Sequence, residues 1–122
     1  MNEIVYALNN GGGGSSDEPE PEDVGTFKVK GADGTYMNIQ MHDGVITLPA
    51  GTSYRFEGDL VGKVVIDAKT AKPDEDTRIL FNGCSISTAD NNCALLYDTP
   101  ENNVGYKGMV ITLAKDTQNY IA

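Results

Sequence analysis

From residue 25 onward the chain is built of brief apolar runs with a period of two. Phe27 and Val29 alternate with Lys28 and Lys30, and Met37, Ile39 and Met41 alternate with Tyr36, Asn38 and Gln40. Such alternation puts one set of side chains on each face of a strand. Turn signals separate the runs: Ala32-Asp33-Gly34 in one place, and Asp43-Gly44 just before VITL at residues 45–48. Asp-Gly between alternating runs predicts a two-residue hairpin turn, because both central residues need positive φ. A hairpin or meander is therefore expected here, with Met37, Ile39 and Met41 facing inward.

The later runs are VVIDA at residues 64–68, RILF at 78–81, CSIS at 84–87 and ALLYD at 94–98. A longer motif recurs as well: VITLPAGTSYRF starts at Val45 and VITLAKDTQNYI at Val110, 65 residues on. VVIDA and ALLYD start 30 residues apart, at 64 and 94, and RILF and MVITL are separated by about the same interval. Strand–corner–strand units recurring in this way predict coils of a solenoid, each burying its face on the next. Asn82-Gly83 admits a hairpin that folds RILF back on CSIS, or a corner within one coil; the repeat favours the corner. No stretch has the spacing of a long amphipathic helix. The polar stretches 69–77 and 99–105 read as loops. The expected fold is all-β: a short right-handed parallel β-helix preceded by a β-hairpin and a flexible N-terminal tail. A small β-sandwich built from hairpins is the alternative.

The first ten residues, MNEIVYALNN, hold an apolar patch flanked by Asn. Residues 11–24 open with four glycines and continue into an acidic, Pro-containing run, a composition that links segments and does not form a core. The division is then an anchor peptide at 1–10, a linker at 11–24 and a β domain at 25–122. Ile4, Val5, Tyr6 and Leu8 are the candidate anchor residues, placed to dock into a groove or add a strand to a sheet edge.

Charge narrows the partners. Nine Lys and Arg against 18 Asp and Glu give a net charge of −9, which repels nucleic acid and anionic membrane. No run reaches the roughly 18 apolar residues of a membrane span. The N-terminus has neither the basic region nor the long apolar region of a secretory signal. The two cysteines, Cys84 and Cys93, sit among apolar residues and read as small hydrophobes; a disulfide between them is not implied.

The order GTSYRFEGDL, KVVIDA, TRILFNGCSIS, CALLYD, GMVITLAKDTQNYI resembles a bacterial carbohydrate-binding domain family with a right-handed parallel β-helix fold. The likeness runs over residues 45–121 and rests on positions such as Gly51, Tyr54, Gly58, Asp67, Ala68, Gly83, Ile86, Ala94, Thr117 and Asn119. The resemblance implies binding of calcium and acidic polysaccharide. Family members are usually secreted and have many more coils.

Candidate chemistry is sparse. His42 lies beside the Asp-Gly turn, no nucleophile elbow or phosphate loop is present, and the pair Glu57 and Asp59 reads as a solvated face. Calcium, which takes carboxylate and amide oxygens, has candidate ligands in Asp74 and Asp76 and in Asp90 and Asn91. For sugar, the candidates are Tyr97 and Tyr106 with Asn102 and Asn103. The expectation is a non-catalytic module with no required cofactor. It is made in a host cytoplasm and carried on a bacteriophage virion as a head fibre, decoration or tail-associated protein. Residues 1–10 would join the capsid or tail, and a trimer would cap the open coil ends. A fragment of a secreted, extracellular carbohydrate-binding protein is the first alternative, and a trimmed polysaccharide lyase the second.

Overall fold

A computed structural model describes residues 22–88 and 93–122; the candidate anchor residues Ile4, Val5, Tyr6 and Leu8, and Asp90 and Asn91, lie outside them. The described chain is all-β. Its strands are β1 (Lys28–Lys30), β2 (Val45–Pro49), β3 (Ser53–Val61), β4 (Lys63–Asp67), β5 (Thr77–Ser87), β6 (Leu95–Asp98), β7 (Met109–Leu113) and β8 (Tyr120–Ile121). They form two open sheets. The larger has the order β1-β3-β5-β7, with β8 also on β5, and the smaller the order β2-β4-β6. From β2 to β7 the chain changes sheet at every strand.

Pairing within each sheet is parallel, except that β1 runs antiparallel to β3. Consecutive strands in sequence therefore do not zip together, and the hairpin-built sandwich gives way to parallel layers. Equivalent residues line up through the layers: Phe56 on Phe81 on Leu113, and Tyr54 on Ile79 on Ile111. The alternation seen in the sequence decides which side chains enter. Ile46, Leu48, Tyr54, Phe56, Val64, Ile66, Ile79, Phe81 and Ile86 are buried and belong to one core shared by both sheets. Rings run through it. Phe27 meets Phe56 edge-on at 5.3 Å, and Phe56 stacks on Phe81 at 5.8 Å. Burying each such side chain contributes about 1.5–3 kcal/mol.

The turns explain the breaks between layers. Asp43 and Gly44 both have positive φ, and His42 and Val45 exchange backbone hydrogen bonds of 2.9 Å around them, the tight turn the sequence predicts. The expected hairpin before it is short. The turn at 31–35 folds the chain back antiparallel on β1 through the Lys30–Tyr36 bridge and the Met37 amide, which donates to the Val29 carbonyl at 2.8 Å, but residues 37–40 are not a strand and the long partner of β1 is β3. Met37 and Ile39 are nevertheless half-buried against the core, and Met41 is buried. This segment covers the first layer; Met41 Sδ fills the space beside Gly62 that a Cβ would need.

Asn82-Gly83 is not a hairpin turn. β5 passes straight through it as one strand that bends at Gly83, whose φ is +74°. β3 bends beside it at Gly58, where the register shifts. The two VITL copies also part company: β2 belongs to the smaller sheet and β7 to the larger. Both copies aim Ile and Leu at the core side, so the motif encodes facing and not sheet membership.

Candidate functional site

The outer face of the larger sheet gathers positive charge. Lys28 and Lys30 flank buried Val29 on β1, Arg55 lies between buried Tyr54 and Phe56 on β3, and Arg78 lies between buried Thr77 and Ile79 on β5. Alternation therefore sends all four outward. The register puts Lys30 beside Arg55, and Arg78 beside Ser53, two residues along the same strand face. Four of the nine Lys and Arg of an acidic chain thus share one face of three strands.

Tyr36 lies beside β1 on this face. Its ring is half exposed, at 51 %. Lys30 Nζ lies 4.8 Å and Lys28 Nζ 5.5 Å from the ring centroid, within the range where a cation is drawn to an aromatic face. The Tyr36 hydroxyl donates to Glu57 Oε1 at 3.0 Å, and Arg55 Nε donates to Glu57 Oε2 at 2.6 Å. Burial pushes the Glu57 carboxyl up, but hydrogen bonds from Tyr36 and Arg55, the Arg55 charge and a hydrogen bond from Asn82 outweigh it and hold it below its ordinary value. Glu57 fixes the ring and the guanidinium and offsets one charge of four. What is left is two ammonium groups beside an exposed ring, with two guanidinium groups on the same sheet face.

The candidates marked in the sequence fall elsewhere. Tyr97, Asn102, Asn103 and Tyr106 do come together, on β6 and the loop that follows it. There they hold the loop: the Tyr97 hydroxyl donates to the Lys107 carbonyl at 2.7 Å, the Asn103 amide donates to Thr99 Oγ1 at 3.2 Å, and Lys72 Nζ covers the Tyr106 ring at 5.2 Å. Asn102 is exposed on the same loop. Asp76 Oδ1 accepts the Gly108 amide at 2.9 Å, and Asp74 is exposed. Among the described residues no three His, Cys, Asp or Glu groups converge as a metal site. Glu57 and Asp59, the carboxylates two apart, are separated by the kink at Gly58. His42 is exposed at its turn.

The motif positions behind the family resemblance have structural work. Asp67 accepts the Lys69 and Thr70 amides and the Thr70 hydroxyl at 2.6–3.0 Å, the last of these lowering its pKa most. Ala68 is fully buried and its amide donates to Asp98 O. Gly58 has the Thr26 carbonyl where a Cβ would stand. The signal for the cationic face was present in the alternation of Lys28 and Lys30. What assembles it is the placement of β1 against β3, a contact between distant segments.

A second surface is apolar. Ile111, Leu113 and Ile121 lie in register with buried Ile79, Phe81 and Ile86, so they face the core side, yet they are 42, 64 and 43 % exposed. With Phe81, Thr117 and Tyr120 they line an open groove at the last layer.

No protein-family model, no curated protein and no solved structure matches the chain.

Proposed function

We propose that the chain is a non-catalytic binding module, a short right-handed parallel β-helix that holds an acidic polysaccharide on the outer face around Tyr36. The observation that carries this reading is the pairing of Lys28 and Lys30 with an exposed ring, with Arg55 and Arg78 on the same sheet face, on a chain of net charge −9. A chain this acidic repels polyanions at a distance, so a cationic face on it favours short-range contact with a ligand that also offers a ring surface. The parallel layering supports the solenoid form, and a solenoid offers an extended flat face to a polymer. The virion setting expected from the sequence rests on residues 1–10, outside the described residues, and the glycan reading does not depend on it.

The test is titration of the full chain with a polyuronate and with a neutral glucan of similar length. The expected result is binding of the polyuronate alone, weakened at least tenfold by Lys28→Gln with Lys30→Gln, and weakened by added salt. Failure of the polyuronate to bind, or binding that the paired substitution leaves unchanged, defeats the proposal.

A further inference from the structure

The open last layer has a free backbone edge as well as bare side chains. The Thr77 amide donates to Gly108 O and the Ala114 amide to Phe81 O, both at 2.9 Å. With the two-residue period of a parallel ladder, Val110 and Thr112 then bond to β5, while the N–H and C=O groups of Ile111 and Leu113 point to the other side. No described strand pairs with that side. The opposite end of the stack is different. There Phe27, Val29 and Met41, contributed by residues 22–42, are all at most 5 % exposed. Among the described residues one end of the core is capped and the other is not, and an uncapped strand edge with apolar neighbours is a site for strand addition.

We infer that residues 4–8 of the same chain, Ile4-Val5-Tyr6-Ala7-Leu8, dock on the free edge of β7 as an added strand and cover this layer. The segment has the same five-residue length as β7. Its alternation puts Ile4, Tyr6 and Leu8 on one face, the large set needed over Ile111, Leu113 and the groove beside Phe81, and leaves the smaller Val5 and Ala7 for the outer side. The chain before the described residues is long enough. Thirteen residues, 9–21, separate the segment from Glu22, whose amide is bonded to Met41 O in the cap. Extended, they span about 40 Å. From the cap to a strand beyond β7 is four strand spacings, about 19 Å along the stack. A Gly-rich joint of this length holds its end near the edge at millimolar effective concentration, favouring the chain's own edge over that of another copy. The inference stands apart from the glycan reading, which uses the other surface.

The test uses the full chain in solution. Nuclear Overhauser contacts are expected between the Tyr6 ring and the methyl groups of Ile111 and Leu113, in a monomer. The Ile111 and Leu113 amides should exchange at least tenfold more slowly than in a chain carrying Ile4→Asp, Tyr6→Asp and Leu8→Asp, while the amides of Phe56 and Ile79 stay protected in both. Absence of those contacts overturns the inference, whatever the variant does. So does unchanged exchange at Ile111 and Leu113, and so do contacts found only between differently labelled copies, which would place the segment on a second molecule.

Discussion

Asn119 holds the bend at Gly83 from 36 residues away: its side-chain Oδ1 accepts the Gly83 amide at 2.9 Å and the neighbouring Cys84 amide at 2.9 Å. The bend in β5 turns both amides out of the ladder, and one side-chain oxygen satisfies the pair. The Asn119 amide in turn donates to Thr117 Oγ1 at 3.0 Å, whose hydroxyl donates to Ala114 O. Replacement by Leu strands two donors, one of them part-buried. Asn119→Leu is expected to lower stability by about 1–3 kcal/mol in urea unfolding. Asn119→Asp keeps the acceptor and should lose less.

The paired bends at Gly58 and Gly83 separate two effects of glycine. Both have positive φ, +81° and +74°. At Gly83 a Cβ would meet nothing within 4 Å, whereas at Gly58 it would stand 2.1 Å from the Thr26 carbonyl oxygen. Gly83→Ala therefore bears only the backbone penalty, about 1–2 kcal/mol. Gly58→Ala must also push the segment before β1 away, and a loss above about 3 kcal/mol is expected. Equal losses for the two variants in thermal or urea unfolding would show that Thr26 yields freely.

The cysteines should react unequally. Cys84 is buried, and burial pushes its thiol up to about 11, while Cys93 is exposed; neither is in a disulfide. An alkylating reagent at pH 8 is expected to modify Cys93 alone in the native protein and both in urea, as mass spectrometry would read. The thiolate is the reactive species, and Cys84 is short of both thiolate and access.

Alkaline stability depends on Tyr54. Its ring is in the core, its hydroxyl donates to the Pro49 carbonyl, and burial raises its pKa from 10.0 to about 12. The unfolded chain loses this proton near pH 10 while the folded chain keeps it. The contribution is fully present below pH 10 and is lost as pH rises toward 12. Tyr54→Phe is expected to flatten that part of the stability profile between pH 10 and 12, at the cost of the Pro49 hydrogen bond at neutral pH.

Facing was legible in the sequence and neighbourhood was not. Alternation set Phe27 and Val29 apart from Lys28 and Lys30 and placed Met37, Ile39 and Met41 inward, where the first two are half-buried and the third buried, and Asp43-Gly44 gave its turn because the residue pair tolerates positive φ. The same alternation in VITL could not say that residues 45–48 join the smaller sheet and residues 110–113 the larger, since sheet membership depends on the loops between. The interval of 30 between VVIDA and ALLYD was one short of the observed pairing, Val64 with Leu95. The tyrosines chosen for sugar, Tyr97 and Tyr106, were near Asn in sequence, but those polar groups close their own loop. The turn at 31–35 brings Tyr36 to Lys28 and Lys30, and only the pairing of β1 with β3 adds Arg55 and Glu57 beside it.

The claim that an acidic chain reserves one cationic face for an acidic glycan is tested most directly by mapping amide chemical-shift changes as a polyuronate is added. Shifts are expected to concentrate at Lys28, Lys30, Tyr36, Arg55 and Arg78, with the loop of Tyr97 and Tyr106 unmoved. Shifts confined to that loop, or none on the outer face of the larger sheet, would contradict it.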